Sequence, residues 1–375
     1  PCGFRTETVL DPERFCRAVE RLGREEPILR SHFQASREGI FQKLDDPQTL
    51  SAEIYRDISL EQAKADFVRP FDLSAAPLFR AALWQGKDEK EQAVFLDMHH
   101  IIGDAVTAAG LIRKLSILYE ERQPEKEQRS FFDYACWYEQ NRERVVGEER
   151  VFWSEYLKDA PKPADIPVDF PRSGSFDYRG AELELSIEEE GSGQIDAFCK
   201  NTGITPFVLF AGAFGIFLSR ISGEKSLMIG TPVSSRRGSL LQTASGLFVN
   251  TLPLRMQPED GKEKRAYLEE VQKNLAGLLD HPYTPVDELV SLAGLERMPG
   301  QNPLYRAMIS MRPIQGDEER FAGGRIEPVP VPAGSAKVDL NLEVYKSGGC
   351  YRLRLEYASS LYDRESAALY ARAVE

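Results

Sequence analysis

A short strand-like run, Ala93 to Met98, leads directly into His99-His100-Ile101-Ile102-Gly103-Asp104-Ala105-Val106-Thr107, and Ala108, Leu111, Leu115 and Leu118 then recur at helical spacing. Strand, bend and helix in that order commit this part of the chain to a mixed fold. The bend holds two of the four histidines. Adjacent side chains on extended backbone point to opposite faces. One imidazole is therefore free to face a cavity, while the other faces the interior or a backbone group. Gly103 lets the chain turn, and Asp104 stands where a carboxylate caps the new helix. An imidazole beside a helix N-terminus is well placed to move a proton near a developing oxyanion. A metal site built from His99, His100 and Asp104 is not expected, because the two rings diverge and no Cys, Glu or third His lies nearby.

The 375 residues suffice for one large or two medium domains, and 42% of them are hydrophobic. The net charge of −12, with both signs interspersed and no basic block, argues against a nucleic-acid binder. Five scattered cysteines (Cys2, Cys16, Cys136, Cys199, Cys350) form no CxxC pattern, which predicts reduced thiols and a cytosolic, cytoplasmic setting. Cys136 and Cys199, in apolar surroundings, are expected in the core. The most apolar run, Phe207 to Leu218, is too short to cross a bilayer and reads as a buried helix, so no membrane association is expected. The chain starts abruptly at Pro1 and stops inside a helical pattern at Glu375, as an excised, monomeric piece of something longer would.

Asp11-Pro12 marks a helix start, Phe15, Val19 and Leu22 supply its apolar face, and Glu26-Pro27 closes it. Strands are expected over 28–33 and 40–44, with a short helix over 59–68. Two further strands, 78–84 and 93–98, are joined by the turn Gly86-Lys87-Asp88-Glu89-Lys90. Helical segments follow over 108–121 and from Phe131 to Leu157. Pro161, Pro163, Pro167 and Pro171 then mark a crossover over 160–180 between an N-terminal lobe, 1–165, and a C-terminal lobe, 166–375. Beyond it, strands are expected over 183–187, 227–230, 248–254, 304–311, 338–344 and 351–357. Helices are expected after Thr205-Pro206, over 266–279 and after Asp363. Strands and helices are mixed without strict alternation, so the fold class is α+β.

Several stretches, taken in order, resemble condensation domains of nonribosomal peptide synthetases. His99-His100-Ile101-Ile102-Gly103-Asp104-Ala105 looks like the HHxxxDG signature. Arg24 to Phe33 resembles RHExLRTxF, and Phe131 to Trp137 resembles YxDFAxW. Ile229 to Arg236 resembles IGxPVAxR, Gly246 to Thr251 matches GxFVNT, and His281 to Asp287 resembles HxxxPFE. The family order is kept from residue 24 to residue 287.

The resemblance implies two lobes, each similar to chloramphenicol acetyltransferase, meeting in a V with a tunnel past the His-His loop. It implies an acyltransferase of secondary metabolite biosynthesis. An upstream donor carrier would present an acyl or peptidyl thioester on a phosphopantetheine arm, and a downstream acceptor carrier an aminoacyl amine, next to an adenylation domain. No tightly bound cofactor is implied. His100 would orient the amine or take its proton, with His99 structural. Asp104 would pair with Arg30, Asn250 would hold backbone between the lobes, and Arg236 would tie a loop. His32 and His281 read as surface or packing residues. Ala105 replaces the family glycine, and Glu25 replaces a histidine. The first of these substitutions keeps open a degenerate docking platform. An epimerisation domain and a stand-alone acyltransferase, which share the His-His signature or its chemistry, also stay open.

Overall fold

The computed structural model describes all residues except 47–49, 89, 260, 262, 297–298, 313–319 and 375. Glu89 of the expected turn and the terminal Glu375 thus lie outside the described residues. The mixed helix-and-sheet architecture is α+β. The chain divides into two compact units. The first contains 1–140, 236–248 and 315–333; the second contains 141–235, 249–314 and 334–375. The division falls at 140/141, inside the helix Phe131–Tyr156, and not at 165/166. The proline-rich stretch lies inside the second unit.

In the first unit, six strands form a sheet in the order Arg320–Phe321, Gly324–Val329, Cys2–Thr6, Gln92–Met98, Phe79–Gln85, Glu53–Tyr55. Only the last pair is parallel. Strand Gln92–Met98 is central and buried on both faces, which explains the unbroken apolar run Ala93 to Leu96 within it. Val94 and Leu96 pack with Phe15, Val19, Leu22, Leu111 and Leu115 from the helices Pro12–Glu25 and Ala105–Tyr119. Ala93 and Phe95 face the other way, onto Phe67 of the helix Leu60–Phe67. Each of these large side chains contributes about 1.5–3 kcal/mol by burial. The expected strand over 28–33 starts only at Ser31, because Pro27–Arg30 forms a 3-10 turn, and Ser31–Ser36 then pairs with Gly39–Leu44 as a hairpin.

The second unit has its own six-stranded sheet, in the order Gly180–Ser186, Cys350–Ala358, Leu340–Ser347, Ala307–Met311, Leu227–Ser234, Val249–Met256. Ala307–Met311 is parallel to both of its neighbours. The helix Pro206–Ser222, capped by Thr205, buries Val208, Phe210, Phe214 and Leu218 against this sheet. Helices Glu189–Thr202 and Pro206–Ser222 each stop at a glycine in the left-handed region, Gly203 and Gly223 (both φ +74), where a side chain would be strained. No single helix among the described residues is long and apolar enough to cross a membrane. None of the five cysteines is in a disulfide. Cys199 is buried as expected, but Cys136 is exposed, because it lies on the outward side of its helix.

Candidate functional site

The His-His bend is built by hydrogen bonds between near neighbours. His99 precedes the 3-10 turn His100–Ile102, and its Nδ1 accepts the backbone N–H of Ile101 at 3.1 Å. A ring nitrogen that accepts carries no proton, so in the neutral ring Nε2 carries it. The His99 ring also meets the edge of Phe71, at 6.2 Å between centroids, and Arg80 lies 3.6 Å above the Phe71 ring.

His100 has the opposite arrangement. Its Nδ1 lies 2.7 Å from the carbonyl oxygen of Gly103. A carbonyl only accepts, so Nδ1 is the donor, and in the neutral ring Nε2 keeps its lone pair. The His100 side chain is exposed, whereas Ile102, Gly103 and Asp104 just after it are buried. Gly103 itself is extended (φ −175), so left-handed backbone is not what glycine supplies there. Space is: an added Cβ would stand 2.6 Å from Met98 Cε and 2.8 Å from Thr107 Cγ2. Ala105, in the place of the family glycine, is an exposed first residue of the helix. Its methyl group is accommodated without disturbing the cap.

Asp104 caps that helix, with Oδ1 accepting the Thr107 N–H at 3.0 Å. Its partner is not Arg30. Arg236 makes a bidentate pair with it, Nη1 to Oδ2 at 2.5 Å and Nη2 to Oδ1 at 2.9 Å, and both side chains are nearly fully buried. Arg30 instead donates to the carbonyl of Asp45 at 2.9 Å, because the turn Pro27–Arg30 directs it to the hairpin. Arg236 does tie a loop: Nη2 also reaches the carbonyls of Ala244 and Gly246, each at 3.2 Å. The same loop bonds back to the helix. The Gly246 N–H donates to Thr107 Oγ1 at 3.0 Å, and the Phe248 N–H to Asp104 Oδ2 at 3.1 Å. Phe131 packs on Phe248 at 5.2 Å and lies so close to Gly246 that a Cβ there would stand 2.4 Å from its ring.

A second buried network was not anticipated. Lys114 Nζ donates to Glu26 Oε1 and Glu127 Oε1, both at 2.6 Å, and lies 3.3 Å from Ser245 Oγ. Ser245 Oγ lies 2.9 Å from an oxygen of each carboxylate, with one hydroxyl proton to share between them. Burial pushes the Glu26 carboxyl above its ordinary range, and Lys114 opposes that shift. One signal was in the sequence: Lys114 sits between Leu111 and Leu115 on the apolar face of its helix, where a cation needs buried partners.

In the second unit, Asn250 Nδ2 donates to the carbonyls of Pro282 and Thr284, at 3.1 and 2.8 Å. Its partners therefore belong to its own unit and not to the other lobe, because the 281–285 turn is held beside it by the buried Glu149. His281 stacks on Phe152 at 3.9 Å, a packing role. Among the described residues, no group of three or more His, Cys, Asp or Glu side chains could hold a metal ion.

Comparison with known proteins bears on the same residues. The Condensation domain family matches residues 1–374. The chain is 32% identical over 322 residues to bacitracin synthase 2 of Bacillus licheniformis, covering 84% of this chain and 12% of that one. It is 29% identical over 372 residues to tyrocidine synthase 2 of Brevibacillus parabrevis, covering 96% and 10%. The chain thus spans about a tenth of the length of these curated relatives. Among solved structures, the X-domain from teicoplanin biosynthesis superposes with a TM-score of 0.85 at 21% identity, covering 100% of this chain and 88% of that one. The first condensation domain of the CDA synthetase gives 0.81 at 18% identity, with 100% and 89% covered. These two likenesses establish the fold, and the family match over nearly every residue establishes descent. The chain belongs to the condensation-domain family of nonribosomal peptide synthetases.

Proposed function

We propose that this domain forms an amide bond, moving an acyl or peptidyl group from a carrier-protein thioester onto the amine of a carrier-bound aminoacyl acceptor. The amine nitrogen bonds to the thioester carbonyl, the C–S bond breaks, and the freed thiol keeps the donor arm. The attacking nitrogen sheds a proton as the tetrahedral intermediate forms or collapses, and His100 Nε2 receives or orients it. The reading rests above all on the Nδ1 contact of His100 with Gly103, which leaves the lone pair of Nε2 on an exposed ring. His99, Gly103, Asp104 and Arg236 position that ring and touch no substrate. Holding two activated partners together supplies much of the acceleration. Upstream and downstream carrier domains, an adjacent adenylation domain and a cytoplasmic setting complete the reading. The five unbridged cysteines and the homologous synthetases support it.

The test is a reconstituted reaction with loaded donor and acceptor carriers. Amide product is expected from the natural chain and should fall about 10²–10⁴-fold in His100→Ala. Undiminished product from His100→Ala removes this residue from the mechanism. A second reading, a docking platform that no longer catalyses, is favoured by Ala105 in place of glycine. No product from any donor–acceptor pairing, together with retained carrier binding, would establish it.

A further inference from the structure

On a chain of net charge −12, one cavity of the second unit stands out for its arginine-rich lining. It measures about 210 Å³ and lies among the proline-rich stretch, the 300–306 segment and the 336–339 segment. Four cationic residues line it, Arg172, Arg179, Arg306 and Lys337, together with the carboxylates Asp177 and Asp339, and a third carboxylate, Asp165, is bound to Arg306. The deeper charges are fixed in place. Arg172 is bound to Asp339 through both of its terminal nitrogens, and Arg306 bonds Asp165 and Gln301. Arg179, by contrast, is 76% exposed in its side chain, so its pair with Asp177 is screened by solvent and exchanges readily.

Phe176 also lines the cavity, half exposed, with its ring stacked on that of Tyr178 at 5.5 Å and 9° between planes. Two parallel aromatic rings held in solvent lose hydrophobic stabilisation unless something covers them, and a flat heterocycle is what such a surface takes up. Cations concentrated in a concave site raise the local concentration of anions, and guanidinium forks match phosphate oxygens. An aromatic platform at the mouth of a cationic recess therefore matches a ligand with a planar base at one end and phosphates at the other. At about 210 Å³ the recess accommodates a short phosphate chain, with the base left outside on the platform.

We infer that this cavity is a binding site for a nucleoside polyphosphate, its base stacked on Phe176 and Tyr178 and its phosphates among Arg179, Lys337 and Arg306. It is independent of the His100 chemistry, and the failure of either leaves the other standing.

The experiment is calorimetric titration of the whole chain at low salt, in EDTA, with three probes: ATP, adenosine and tripolyphosphate. ATP is expected to bind saturably and more tightly than either fragment, and less tightly as salt rises. Phe176→Ala should weaken ATP about tenfold or more and leave tripolyphosphate unchanged, since one base–aromatic stack carries that much discrimination. Arg179→Ala and Lys337→Ala should each weaken ATP and tripolyphosphate several-fold and leave adenosine unchanged. All three positions are exposed, so the variants should unfold at the same urea midpoint as the natural chain. The inference is overturned if ATP shows no saturable binding at millimolar concentration. It is equally overturned if ATP binding survives both Phe176→Ala and Arg179→Ala, or if tripolyphosphate binds as tightly as ATP.

Discussion

Arg236 grips the carboxylate of Asp104 with both terminal nitrogens across 132 positions of sequence, in a setting where both side chains are almost sealed from water. The carboxylate is at once the cap of the helix that follows His100 and the acceptor of the Phe248 N–H. Each charge here has its partner and its hydrogen bonds, the condition under which a buried pair is tolerated.

Removing one partner should therefore cost far more than the pair is worth in isolation. Arg236→Ala is expected to lose about 3–5 kcal/mol, read from urea denaturation, because Asp104 is left charged and dry. Arg236→Lys should recover only part of that loss, since an ammonium cannot form the two-pronged contact. If Arg236→Lys is as stable as the natural chain, the fork geometry is irrelevant.

The Lys114 network makes a prediction about pH. Burial raises the Glu26 carboxyl above its ordinary value, so the folded state holds this proton more tightly than the unfolded chain does. The associated stability is complete below the unfolded carboxylate value of about 4.3 and is lost as pH rises through the folded one. Glu26→Gln imitates the protonated form. Its urea midpoint relative to the natural chain should improve steadily as pH is raised from the acid side of that range to neutrality. A variant that instead loses ground with rising pH would mean that attraction to Lys114 outweighs burial.

Gly246 faces Phe131 too closely for any side chain. Gly246→Ala should destabilise by about 1–3 kcal/mol through overpacking. Pairing it with Phe131→Ala should return part of that energy, so a double-mutant cycle is expected to give a coupling of opposite sign to the single losses. Strictly additive losses would place the strain elsewhere.

His99 and His100 should separate by readout. His100→Ala removes the Nδ1 donor to the Gly103 carbonyl and should shift stability by no more than about 1 kcal/mol while amide synthesis collapses. His99→Ala removes the acceptor of the Ile101 N–H and should shift stability by about 1 kcal/mol. Its effect on rate should be smaller than that of His100→Ala. Matching rate losses from the two would end the division of labour proposed for them.

Some of this is readable in the sequence for physical reasons. Gln92–Met98 stands out because burial on both faces writes the apolar run Ala93 to Leu96, and Pro206–Ser222 because a helix inside a core is largely apolar all round. The caps at Asp11, Thr205 and Asp363 are local and hold. Asp104 pairs with Arg236 where Arg30 was expected, because charge alone does not say which of several arginines arrives, and the arriving one lies far along the chain. The strands Cys2–Thr6 and Gly324–Val329 escape the sequence reading for another reason. They are short, and Pro328 falls inside the pattern of the second, as it can only where a ladder hydrogen bond is dispensable.

Residues 236–248 belong to the first unit, although the strands on either side of them, Leu227–Ser234 and Val249–Met256, pair with each other in the second. No single backbone cut can therefore yield a self-sufficient half. A fragment ending at Gln140 would carry the imidazoles on a bend before a helix whose capping carboxylate has been stripped of its guanidinium, and the complementary fragment would trail that guanidinium on a loop with nothing to hold. Dissecting this domain by expressing its halves apart would report on the damage done by the scissors.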